Sequence, residues 1–196
     1  MEKKLPDILT AQNAFKNLLD IEYEFVLGRK NKNVSLKVEF QKSHFFHIAG
    51  LQHLTDLPRL KLSTESVYNL LESGGISASY IESSRNYDSI KERISLLPKL
   101  EQIFDSNDTI FKYNAALQAF SVIEAEFLLK NEIEKMPIFV FLSKNKNGKY
   151  FCKSFFPDKR KDYSEGQTKW TVLFKKKILK SENKETVLYR HRNFWS

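Results

Sequence analysis

At the start of the chain the apolar positions fall at Leu5, Ile8, Leu9, Ala11, Phe15, Leu18 and Leu19, the three-and-four spacing of one helix face. The rhythm then changes to two. Ile21–Leu27 and Val34–Phe40 alternate apolar with polar across the polar stretch Gly28–Asn33, which predicts a hairpin. Ser43–Leu54 returns to helical spacing. Ser63 is placed to cap a helix carrying Val67, Leu70 and Leu71, which Gly74-Gly75 stops. A longer helical stretch is expected over 77–106, broken near Asn86 and disturbed by Pro98, with Ile90, Ile94, Leu97, Leu100 and Phe104 facing inward.

Beyond that point the period is that of strands. Thr109–Tyr113 fits one, and Ser121–Leu129 a second, with a short helix as the alternative. Ile138–Leu142 is apolar without a break, as expected of a central strand covered on both faces. Asn145-Lys146-Asn147-Gly148 then turns the chain into Lys149–Pro157. Strict alternation would put Tyr150, Cys152, Ser154 and Phe156 on one face, and Phe151, Lys153 and Phe155 on the other. Asp158–Thr168 reads as a polar loop, and Trp170–Ile178 with Thr186–Arg190 as a last strand pair. The pattern predicts an α+β fold, with helices mainly in the N-terminal half packed on an antiparallel β-sheet built largely from the C-terminal half. A single domain over 1–196 is expected, with a helical insertion at about 63–106.

Charge sharpens this picture. Residues 1–134 carry 16 Lys/Arg and 19 Asp/Glu, whereas residues 135–196 carry 16 and 5, so the strand-rich end alone holds a balance of +11. Cations interleaved with aromatics favour a polyanion, with RNA or another nucleic acid first. An immunity-type protein that covers a basic toxin would instead present acidic surface. The single cysteine, Cys152, excludes an internal disulfide and a thiolate zinc cluster, and is expected to be a small buried side chain. Three of the four histidines, His44, His47 and His53, crowd into ten residues, but none of their spacings gives the i, i+4 pair of a zinc protease. No metal and no cofactor is therefore expected. With no signal peptide and no apolar run of about 18 residues, the expectation is a cytoplasmic protein without a membrane partner.

Four segments, in order and spacing, resemble a known family. They are Phe46-His47-Ile48-Ala49-Gly50-Leu51, then Ile123-Glu124-Ala125-Glu126-Phe127-Leu128-Leu129, then Phe141-Leu142-Ser143-Lys144, then Ser154-Phe155-Phe156-Pro157. Together they resemble a phage-associated branch of the Barnase–EndoU–colicin–RelE nuclease superfamily, over nearly the whole chain. The resemblance implies a small α+β ribonuclease of a phage, toxin or other mobile element, with helices packed on an antiparallel sheet. It transfers one motif residue, His47. After Leu51 this chain has Gln52 and then His53, where the pattern has a histidine directly after the leucine.

RNA cleavage without a metal needs a base near the 2′-hydroxyl, an acid at the leaving 5′-oxygen and cations for the developing charge. The sequence offers His47 as acid or base, with Lys153 and Ser154 on the strand and Tyr163 and Thr168 in the overhanging loop as further catalytic candidates. Lys144, Lys159, Arg160, Lys161, Lys169 and Lys175 are the expected RNA-binding cations. The function this implies is a metal-independent endoribonuclease working by 2′-hydroxyl attack. The alternative is a non-catalytic basic protein that binds nucleic acid or inhibits a nucleic-acid-handling enzyme. A protein partner or inhibitor that holds the chain inactive stays open.

Overall fold

The computed structural model describes residues 6–106, 109–118, 123–192 and 194. The chain divides into two compact units. One takes Met1–Leu19 and Gln41–Glu101, the other Asp20–Phe40 and Gln102–Ser196. Leu5, Ser121 and Val122, which fall in an expected helix and an expected strand, lie outside the described residues.

The first unit is helical: α1 (Ile8–Leu18), α2 (Lys42–Ile48), α3 (Thr64–Glu72), α4 (Ala78–Glu82) and α5 (Asp88–Leu96), with 3₁₀ turns between them. Local chemistry sets the ends. Asp7 accepts the amide of Thr10 at 2.9 Å and starts α1, and Ser63 accepts that of Ser66 at 3.2 Å and starts α3, as its sequence predicts. Gly50, at φ 81°, turns the chain after α2; a Cβ there would meet Ile90 at 2.9 Å and Arg93 at 3.0 Å. Ile8, Ala11, Phe15 and Leu18 of α1 are buried with Phe45, Tyr68, Ile90 and Ile94. The ring centroids of Phe15 and Phe45 stand 5.4 Å apart.

The second unit overturns the expected α+β layering. Its strands are β1 (Ile21–Arg29), β2 (Lys32–Glu39), β3 (Thr109–Lys112), β4 (Phe127–Ile133), β5 (Met136–Lys144), β6 (Tyr150–Pro157), β7 (Thr168–Leu179) and β8 (Lys184–Arg190), with the short helix α6 (Leu100–Asp105) leading into β3. They pair in the order β1-β2-β6-β5-β4-β3-β7, and β7 returns to β1. That closes a seven-stranded barrel, with β8 added outside it on β7. All pairings are antiparallel except the parallel bridge between Val38 of β2 and Tyr150 of β6. The helices are few and short beside this barrel, α1 being 11 residues.

The difference has a physical cause. Alternation tells which side chains share a face but not which strand lies alongside. The expected hairpin at the start of the chain is present, with Lys30 and Asn31 at φ 46° and 60° making a two-residue turn. It does not stand apart from the C-terminal strands, because β1 pairs along β7 from Ile21↔Leu179 to Gly28↔Thr171. Gly28 permits that approach, since a Cβ there would come within 2.6 Å of Leu173. Register places Phe25, Leu36, Val38, Ile110, Leu129, Val140 and Phe155 on the inner face, all buried. Ile138–Leu142 of β5 is apolar without a break because its outer face is covered too: Phe139 and Phe141 pack with Tyr113, Leu128 and the ring of Tyr163.

Candidate active site at the barrel rim

Four strand ends bring one acidic, one phenolic and several basic side chains to the same rim. Lys112 closes β3 and Glu126 immediately precedes β4; Tyr113 donates its amide to the Glu126 carbonyl at 2.9 Å and fixes the join. Glu126 in turn donates its amide to the Leu142 carbonyl at 2.8 Å, which ties it to β5. One carboxylate oxygen of Glu126 then accepts from the Lys112 ammonium at 3.1 Å and from the Tyr150 hydroxyl at 3.2 Å. The Lys112 and Glu126 side chains are 45% and 41% exposed, so solvent and solutes reach this pair. Tyr150 is buried, and burial together with the neighbouring Glu126 charge pushes its phenol up to about 12. Its hydroxyl therefore stays protonated as a donor at neutral pH.

The ring of Phe127 floors the cluster, with the Lys112 ammonium 4.6 Å from its centroid and Tyr150 5.8 Å away. Lys144, at the end of β5, holds its ammonium 5.7 Å from the Tyr150 ring. Thr168 opens β7 directly opposite Lys112 in the ladder. A carboxylate between an ammonium and a phenol, with a second ammonium and a hydroxyl beside it, offers a proton acceptor and two cations at one accessible spot. Among the described residues no three His, Cys, Asp or Glu side chains are grouped so as to hold a metal ion.

The sequence-predicted residues fall into separate places. Thr168 and Lys144 stand at this rim. Lys169 and Lys175 line a cavity further along β7. Lys153 is exposed at a bulge in β6, where the register steps from Leu142↔Cys152 to Phe141↔Ser154. That step corrects the expected face assignment: Phe155 joins Tyr150 and Cys152 on the inner face, and Ser154 turns outward with Phe156. Cys152 is buried, as expected.

Lys159 and Arg160 are exposed in the loop after β6, Lys161 lies 4.8 Å over the ring of Tyr163, and Tyr163 is half-buried among Phe139, Phe141 and Phe156. His47 is exposed on α2, in the helical unit, whereas the cations belong to the barrel unit. His44 takes the Gln41 amide on Nδ1 at 3.1 Å and so serves as a helix cap. His53 is held below the usual imidazole range by burial and by the Arg93 charge.

Sequence reasoning missed Glu126, Lys112 and Tyr150. The signal was present for Glu126, which lies inside the Ile123–Leu129 segment. Its two partners are far from it along the chain, and only strand pairing collects them. No helix among the described residues is long and apolar enough to cross a membrane.

No curated protein and no solved structure matches the chain. A protein family does, over residues 7–192, which include every element described above. The chain belongs to the family described as phage-Barnase-EndoU-ColicinE5/D-RelE like nuclease4.

Proposed function

We propose that the chain is a phage-associated endoribonuclease that cleaves RNA by attack of the 2′-hydroxyl on the adjacent phosphate, at the rim of the barrel. The family supports a nuclease-type activity. The observation that carries the finer reading is the Glu126 carboxylate, set within hydrogen-bonding distance of both Lys112 and Tyr150 on an accessible surface. A Glu126 oxygen takes the 2′-hydroxyl proton. The 2′-oxygen forms its bond to phosphorus while the bond to the 5′-oxygen breaks, and the 5′-oxygen receives a proton from the Lys144 ammonium. Lys112 stands against the phosphoryl oxygens as charge builds there, and Tyr150 holds the carboxylate in place. The products are a 2′,3′-cyclic phosphate and a 5′-hydroxyl.

The test is incubation of the purified chain with mixed RNA in EDTA, followed by a search for 2′,3′-cyclic phosphate ends. The wild type is expected to generate them, and Glu126→Gln to lower the rate by about 10²–10⁴ while RNA affinity and circular dichroism stay unchanged. His47→Ala is the companion variant. Loss of cleavage in His47→Ala with Glu126→Gln fully active overturns the assignment of the base. RNA binding with no new ends in the wild type points to a non-catalytic binder.

A further inference from the structure

β7 changes partners along its length. Its first residues pair with β3, residues 171–179 run along β1, and Phe174–Leu179 also pair with β8. Where β3 gives way to β8 the wall opens into a cavity of about 370 Å³. That volume sits at the small end of ligand pockets, which run from about 300 to 1,000 Å³. Thr109, Lys169, Trp170, Thr171, Lys175 and Tyr189 supply its chemistry.

Lys175 is unusual for a lysine. It is only 2% exposed, its ammonium donates to the Ser106 carbonyl, and the Phe25 ring lies 5.2 Å away. Tyr189 stands opposite it in the β7–β8 ladder. At the other end Lys169 is exposed at the rim, and the Trp170 ring reaches back to Phe127, 6.4 Å between centroids, beneath the Glu126 cluster.

We infer that this cavity binds one nucleoside monophosphate unit. The buried Lys175 ammonium answers a phosphate, and Lys169 adds positive charge at the open end; an indole and a phenol offer flat faces for a base; two threonine hydroxyls can meet a ribose. Lipid headgroups and phosphoserine peptides would leave the two aromatic faces without a planar partner, and a phosphotyrosine has no ribose hydroxyls for the two threonines. The nucleotide arrives either as one unstacked residue of an RNA strand or as a free nucleotide. The first source rests on the ribonuclease reading, under which the cavity holds a neighbour of the scissile phosphate and selects where the strand is cut.

Full-length protein titrated with each of the four nucleoside 3′-monophosphates, and separately with inorganic phosphate, tests this by calorimetry. At least one nucleotide is expected to bind tenfold more tightly than phosphate. Lys175→Met and Tyr189→Leu are each expected to weaken it at least tenfold, and Glu126→Gln to leave it within twofold. Lys169→Ala serves if Lys175→Met does not fold. Competition by a short oligoribonucleotide assigns the cavity to RNA; nucleotide binding without such competition assigns it to a free ligand. No binding at millimolar concentration, or affinity indifferent to Lys175, Lys169 and Tyr189, overturns the inference. Cleavage intact beside absent nucleotide binding would sink the cavity and spare the ribonuclease.

Discussion

Replacing Lys175 by methionine tests whether the barrel wall keeps a charge at the expense of its own stability. Methionine matches the stem in length and is pliable enough to fill the same space. The loss has two parts. A hydrogen bond from an ammonium to the Ser106 carbonyl contributes about 1.5–3 kcal/mol. The cation over the Phe25 ring, desolvated at 2% exposure, adds about 0.5–2 kcal/mol. Against them stands the cost of holding an ammonium away from water, itself several kcal/mol. Apolar replacement of a whole buried ion pair is often neutral or stabilising by about 1–4 kcal/mol. Relief of a lone buried ammonium acts in the same direction, offset by about 1–3 kcal/mol for the Ser106 carbonyl left without its donor. The expectation is therefore a variant within about 2 kcal/mol of the wild type, with each kcal/mol moving the melting temperature by about 2–4 °C. Urea titration at pH 7, followed by far-ultraviolet circular dichroism, reads the change. A loss of about 3 kcal/mol or more would show that Lys175 is a strut for the Ser106 segment, and the trade of stability for a binding charge would be wrong.

Two further outcomes follow from charges elsewhere on the barrel unit. Burial pushes the Asp162 carboxyl up, but the Lys130 ammonium at 2.6 Å and the Ser164 hydroxyl and amide outweigh it and hold the group below its usual value. A depressed carboxylate contributes stability above its unfolded value, about pH 3.9, and loses it as pH falls through the folded value. The protection factor for hydrogen exchange in peptides covering 158–167 is thus expected to fall in the wild type only below about pH 4. Asp162→Asn is expected to lower it already at pH 7, and equal protection of the two proteins at pH 7 refutes a role for the Lys130–Asp162 contact in holding this loop. In RNA binding, replacing Lys159, Arg160 and Lys161 together by alanine is expected to flatten the slope of log affinity against log salt by up to about 2, at about 0.7 per phosphate contact on a single strand. An unchanged slope removes this loop from the RNA footprint.

Local order was legible in the residues themselves. The Ser63 cap, the break before α5, the hairpin of β1 and β2 and the doubly covered β5 all follow from spacing and turn chemistry within a few positions. Closure of the barrel was not. It depends on Ile21 meeting Leu179 and Val38 meeting Tyr150, and alternation says nothing about partners so distant. The run Lys175-Lys176-Lys177 shows how a site hides. Lys175 is expected from the sequence as an RNA-binding cation on a strand, and nothing in three successive lysines separates them, yet the first is buried, the second pairs with Glu24 and Glu185, and the third with Asp105. Glu126 escaped for the opposite reason: in a strand of alternating polarity an acid looks like an outward position, and its value depends on Lys112 and Tyr150 arriving from other strands.

Because β1 finds its seal on β7, the early hairpin has no finished wall to join until the closing strands have left the ribosome. Pairings between such remote segments are slow to form. A nascent chain would pass its synthesis as an open sheet, although β3 to β6, which carry Lys112, Glu126, Lys144 and Tyr150, pair in chain order and can assemble before β7 emerges. The seam between β1 and β7, and not the rim, is then the last part of the barrel to be made.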